Sequence, residues 1–138
     1  MSARAVHVTL QVGDESYALP VEHVVEVGEF DPPTPVPGAA REMLGVRNLR
    51  GEVLPVFDLA AVLGLAPETA PTRLVVAADH GRRAGLAVTG VHDVRELPPA
   101  SEEAESPFLV GAALTSEGLI GVVDVERLFD ELAARSRQ

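Results

Sequence analysis

The sequence contains no cysteine, no tryptophan and no lysine; all eleven of its basic residues are arginine. Without cysteine there is no disulfide, no thiolate nucleophile and no cysteine-bound metal. Without lysine, Schiff-base catalysis and the phosphate-gripping lysine of a P-loop are excluded. Cations are also outnumbered, eleven against twenty-one acidic residues, for a net charge of −10 and a pI near 4.7. Nucleic acid is therefore not an expected partner, because phosphate binding needs clustered positive charge. Long apolar runs are missing as well. No segment approaches the roughly 18 residues of a membrane-crossing helix, and the N-terminal MSARAVHV lacks an apolar core of signal-peptide length. A cytoplasmic location is expected, with no direct membrane contact.

What the chain does have is valine, glycine and proline. Apolar residues make up 46% of the 138 positions and aromatics only 4%, while twelve glycines and eleven prolines supply turns. That balance favours an all-β fold. Val6, Val8, Leu10 and Val12 alternate with polar neighbours, the period of two of a half-buried strand. Tyr17 to Leu19 and Val24 to Val27 read as two more strands. Four prolines between Asp31 and Gly38 force extended backbone, leading to an expected turn of helix near Ala39 to Met43. Pro67 to Pro71 marks a boundary, after which strands are expected at 73–78, 84–88, 91–96, 109–114 and 119–124. The acidic stretch from Pro98 to Pro107 reads as a solvated loop, with residues 100–106 expected to be dispensable for folding.

The segment GVRNLRGEVLPVFDLAAVLGL, residues 45–65, organises the rest. Two strands are separated by Arg50-Gly51, a pair suited to a tight reversal. Asp58 then stands where its carboxylate can accept from the free N–H groups of a starting helix, and Gly64 suits the stop. The same pattern returns 66 positions later without a gap, Gly111 for Gly45, Asp124 for Asp58 and Phe129 for Leu63. A fainter repeat relates Gly13, Leu19, Val24 and Val27 to Gly81, Ala87, Val91 and Val94, with one residue dropped. Two similar lobes follow, divided as approximately 14–68 and approximately 69–124, with pairing from the N-terminal strand allowed in the second. A helix at approximately 125–136 closes the single domain of 1–138.

No constellation for chemistry emerges. His7, His23, His80 and His92 show neither zinc spacing nor helical pairing, and are expected to be ordinary surface residues. No nucleophile elbow, P-loop or dinucleotide fingerprint is present, so no catalytic residue, metal or cofactor is assigned. The polar tip of the hairpin, Asn48 and Arg50, has no counterpart in the second copy, which carries Leu114 and Ser116. Arg50 is open to three readings: an exposed turn residue, a tie back to Glu26, or a recognition arginine offered to a partner's carboxylate. A partly buried tie, with Arg50 as a strut shaping the surface, is the expectation carried forward.

These residues bear a resemblance. YALPVEHVVEV, the hairpin GVRNLRGEVLPVFDL, the second-half strand GLAV followed by DV, and the closing GVVDVERLF resemble the CheW family of chemotaxis coupling proteins, from about Val6 to Leu132. The resemblance implies two small five-stranded SH3-like β-barrel lobes sharing a core, and a protein that is not an enzyme. It implies a non-catalytic adaptor within receptor arrays. The partners would be the cytoplasmic tip of a chemoreceptor (a methyl-accepting chemotaxis protein) and the regulatory domain of a CheA-type histidine kinase. Carried over by position, partner binding falls on Val24, Glu26, Gly45, Asn48, Leu49, Arg50 and Gly51. Two departures lie in the second lobe: Thr89-Gly90 where the family often has Asp-Gly, and a shorter, more acidic stretch between Glu96 and Val110. They motivate one alternative, an accessory adaptor that binds receptor but not kinase. Another, of a different class, is a regulatory domain binding a small ligand between the lobes.

Overall fold

A computed structural model describes residues 4–104 and 106–136. The chain runs β1 (Ala5–Val12), β2 (Glu15–Pro20), a 3-10 turn (Val21–His23), β3 (Val24–Glu29), β4 (Met43–Leu49), β5 (Glu52–Asp58) and α1 (Leu59–Val62). It continues through β6 (Arg73–Asp79), β7 (Arg82–Val88), β8 (Gly90–Leu97), β9 (Leu109–Thr115), β10 (Gly118–Val123) and α2 (Val125–Ser136). Both caps read from the sequence are formed: Asp58 accepts from Ala60 N–H at 3.2 Å and Asp124 from Arg127 N–H at 3.1 Å. Asp58→Ala should cost about 1 kcal/mol, the usual value of an N-cap, read as a lower urea midpoint at unchanged slope. Helix α1 is only four residues, shorter than the sequence pattern suggests. Around Ala39 to Met43 there is no helix but two turns, with Ala39 N–H donating to Val36 and Met43 N–H to Ala40.

The strands form two five-stranded sheets, in the orders β8-β1-β2-β10-β9 and β3-β6-β7-β5-β4. The two orders are the same once each strand of the first half is exchanged for its repeat in the second. The lobes are therefore not halves of the chain. The hairpin β1–β2 belongs with β8, β9 and β10, and the hairpin β6–β7 belongs with β3, β4 and β5. The division at Pro67 is corrected accordingly: 14–68 includes β2, which lies in the other sheet, and 69–124 includes β6 and β7. The physical cause is pairing. β5 finds its parallel partner in β7 and β10 finds its own in β2, so each half supplies the hairpin on which the other half's sheet is built. We call the β3-β6-β7-β5-β4 assembly lobe 1 and the other lobe 2.

Each sheet is closed by one further bridge. Thr34, in the proline-rich crossing, exchanges hydrogen bonds with Val46 of β4, at 2.9 and 2.8 Å. Glu102, in the acidic stretch, pairs with Ala112 of β9. Gly45 and Gly111 underlie these closures, as a Cβ on Gly45 would lie 2.2 Å from Thr34 O and one on Gly111 2.7 Å from Glu102 O. The repeated glycine thus has one cause in both copies. The acidic stretch is correspondingly not a free loop, because Ser101 and Glu102 both donate to Ala112 O.

Burial splits along the strands with a period of two. Val75 and Ala77 face a large core shared with Leu10, Leu19, Phe57, Leu86 and Leu128, while Leu74 and Val76 face a small core with Leu54 and Val56. Lobe 2 has a smaller one still, of Ala18, Leu97 and Ile120. Strands buried on both faces explain why β1 is not half-buried: His7 and Thr9, on its polar face, are 7% and 3% exposed. Contrary to the sequence reading, His7 is therefore interior and His23 half-buried, bonded through Nδ1 to the carbonyls of Ala5 and Ala78. Helix α2 spans the lobes. Its Asp130 meets Arg82 at 2.8 Å, Arg82 also meets the buried Asp79 at 2.6 Å, and Arg135 joins Glu131 with Glu42. Hydrogen bonds donated to Asp79 and then to Asp130 hold the Arg82 guanidinium above its ordinary value, so it stays charged.

Candidate functional site

The end of lobe 1 is made by the β4–β5 turn. Arg50 and Gly51 both have positive φ, 53° and 86°, the two-residue turn whose twist matches paired strands. Asn48 Oδ1 accepts from Gly51 N–H at 3.0 Å and pins the reversal. Leu49 turns inward onto the small core of Leu54, Val56, Leu74 and Val76. Glu26 lies on β3 in register with Val76, and its carboxylate accepts from Arg50 Nη1. The tie between Arg50 and Glu26 is thus formed, but it is not the partly buried strut expected. The Arg50 side chain is 76% exposed and that of Glu26 28%, because the pair sits at the open end of the lobe. Such a pair contributes under about 1 kcal/mol. A second ion pair, Arg47 with Asp31 at 3.2 Å, links β4 to the crossing beside it.

Of the seven residues assigned by sequence, Glu26, Asn48, Leu49, Arg50 and Gly51 come together at this end. Val24 is half-buried against the shared core. Gly45 is buried down β4, beneath Thr34, and acts through backbone geometry rather than by surface contact. The exposed valines Val25, Val27 and Val53 on β3 and β5 escaped the sequence reading, since a valine in a strand looks the same whichever face it takes.

Lobe 2 carries the same device with its charges exchanged. There the turn supplies Glu117 and the strand β8 supplies Arg95, 2.7 Å apart. The hydrogen bond it donates to Glu117 holds the Arg95 guanidinium above its ordinary value. Leu114 and Leu119 stand opposite one another across β9 and β10, both more than half exposed; their position flanking the turn was the available signal. Thr89 preserves the acceptor that an aspartate would bring, as its Oγ1 accepts from Gly13 N–H at 2.9 Å.

A cleft of about 320 Å³ runs between the 65–71 segment and the ends of β1, β5 and β7. Of the polar side chains in its wall, Asp58 and Thr89 are committed to Ala60 and Gly13, and Glu68 and Thr69 stand on exposed chain. Such a wall offers little to orient a small ligand. Among the described residues no group of three or more His, Asp or Glu side chains is placed to hold a metal ion, and no helix is long and apolar enough to cross a membrane.

Two closed lobes with an exchanged hairpin, charged turns at their ends and apolar residues left on their outer strands define a protein-binding module. The model of the CheW-like domain matches residues 7–133, and the chain belongs to that family. It is 33% identical over 134 residues to a probable chemotaxis protein CheW of Rhizobium etli, covering 90% of this chain and 86% of that one. It is 36% identical over 115 residues to protein FrzA of Myxococcus xanthus, covering 82% and 70%. The crystal structure of the scaffolding protein TtCheW from Thermoanaerobacter tengcongensis superposes with a TM-score of 0.81 at 28% identity, over 93% of this chain and 94% of that one. The chain is accordingly a chemotaxis coupling adaptor.

Proposed function

We propose that the chain joins the cytoplasmic tip of a chemoreceptor to the regulatory domain of a CheA-type histidine kinase. It does so in the cytoplasm, within receptor arrays, by contact and without catalysis. The partner surface is the end of lobe 1, with Glu26, Asn48, Leu49, Arg50 and Gly51 at its centre, Val24 behind it and Gly45 as its buried support. One observation carries this reading: Arg50 is held in the left-handed region, φ 53°, while most of its side chain stays exposed. A non-glycine residue there costs about 1 kcal/mol, and asparagine or glycine would fill the turn without that cost. Glu26 holds one edge of the guanidinium, and the exposed remainder of this strained arginine suits recognition of a partner's carboxylate.

Arg50→Asn relieves that strain and loses the Glu26 pair, two effects of about 1 kcal/mol or less and opposite sign, so stability should stay within about 1 kcal/mol of wild type while capture of the receptor tip or the kinase domain is abolished. Thermal melts and pull-downs against each purified partner read the two effects separately. Unchanged binding would remove Arg50 from the partner surface. Capture of the receptor tip alone by the wild-type chain would favour the accessory adaptor, a reading supported by the exchanged charges at the end of lobe 2.

A further inference from the structure

The two halves correspond in register as well as in sequence. Val122 lies beside Ala18 in the parallel pair of β10 and β2, as Val56 lies beside Gly85 in the pair of β5 and β7. On lobe 1, α2 exploits this face. Asp130 meets Arg82, the Arg82 guanidinium lies 5.6 Å from the centre of the Phe129 ring, and Arg135 reaches Glu42 at 2.9 Å. What is left beside the helix is a cavity of about 200 Å³, walled by Pro55, Arg82, Arg83, Ala84, Phe129 and Leu132.

On lobe 2 the equivalents of Arg82, Arg83 and Ala84 are Glu15, Ser16 and Tyr17, that of Pro55 is Gly121, and that of Phe129 is Leu63. All five line one groove of about 550 Å³. It is larger because α1 ends at Val62 and Gly64, with φ 79°, turns the chain away. The last two turns that α2 lays across lobe 1 thus have no counterpart on lobe 2. The groove runs on to Leu109, next to Phe108, the position equivalent to the Glu42 at which α2 finishes.

The geometry points to this groove as a docking site for an amphipathic α-helix of a partner protein, seated as the end of α2 is seated on lobe 1. The occupant's chemistry follows from the template. α2 presents Phe129 and Leu132, three residues apart and so on one face, and offers Asp130 to Arg82. The groove has Glu15 in place of Arg82 and Glu103 in its wall, so its helix carries an arginine or lysine where α2 has aspartate. Tyr17, Leu63, Leu109 and Leu119 give the groove an apolar lining. Tyr17 is 6% exposed, and a Cβ on Gly121 would come within 2.9 Å of its ring. Burial, with a smaller contribution from Glu15, raises the Tyr17 phenol above its ordinary value, keeping it neutral. This site lies on the other lobe from the Glu26–Arg50 end and does not depend on the receptor–kinase reading.

The probe is a synthetic peptide copying Val125–Ser136 with Asp130→Arg, titrated into the full chain and followed by fluorescence anisotropy and amide chemical shifts. Saturable binding is expected, with shifts at Tyr17, Gly64 and Gly121. In the Glu15→Arg variant, whose altered side chain is exposed at the start of β2, this peptide should bind about tenfold more weakly, a change of about 1.4 kcal/mol. The unaltered α2 peptide should bind correspondingly better. No saturation by about 1 mM, the floor of useful affinity, would overturn the proposal. So would shifts confined to Ala84 of lobe 1 and Ala133 of α2 beside it, or a preference indifferent to Glu15→Arg.

Discussion

Gly45→Ala is expected to cost about 3 kcal/mol or more, lowering the melting temperature by about 10 °C. The added methyl would lie 2.2 Å from Thr34 O, 2.6 Å from its carbonyl carbon and 3.1 Å from Pro35 N. All three are backbone atoms, so no side chain can swing aside. Relief requires the crossing to lift off β4, which breaks the two Thr34–Val46 hydrogen bonds and opens lobe 1. The glycine's φ of 150° adds strain for any L-residue. Gly111→Ala meets Glu102 O at 2.7 Å, but Glu102 stands on exposed chain that can yield, and about 2 kcal/mol is expected there. Partner binding should fall with Gly45→Ala in step with stability, unlike Arg50→Asn, which separates the two. A Gly45→Ala protein within 1 kcal/mol of wild type would show that the crossing does not close the lobe.

Leu128→Ala should cost about 3–4 kcal/mol, and it should weaken both lobes together. Leu128 is fully buried in α2, in the core that also holds Leu10 and Leu19 of lobe 2 and Phe57 and Leu86 of lobe 1. Truncating such a leucine removes its transfer energy and leaves a cavity that packed strands on both sides cannot fill. Because each lobe is built on the other half's hairpin, neither can unfold while the other stays intact. Native-state hydrogen exchange should therefore show amides of β6, in lobe 1, and of β10, in lobe 2, losing protection by the same amount. Protection lost in one lobe alone would mean that the lobes are separate cooperative units. Ile120→Ala, in the small core of Ala18 and Leu97, offers the contrast: its loss should be nearer 2 kcal/mol, the low end for such truncations.

Much of the molecule was determined within short stretches of sequence. Arg50-Gly51 and His80-Gly81 make tight turns because a glycine accepts positive φ, and Asp58 and Asp124 cap helices because a carboxylate there meets free N–H groups two or three residues on. The 66-residue repeat marked the lobes as alike, and GVRNLRGEVLPVFDL marked both the family and the end of lobe 1. Tertiary structure alone decided the rest. That β2 lies beside β10, and β7 beside β5, depends on which edges bury both faces of a strand once the chain has collapsed. A repeat records which segments are equivalent without recording which are adjacent. The same holds for Glu26 and Arg50. Their pairing could be read from opposite charges on a strand and a turn, but their exposure could not, since solvent access is set by the open end of a lobe whose walls come from both halves of the chain.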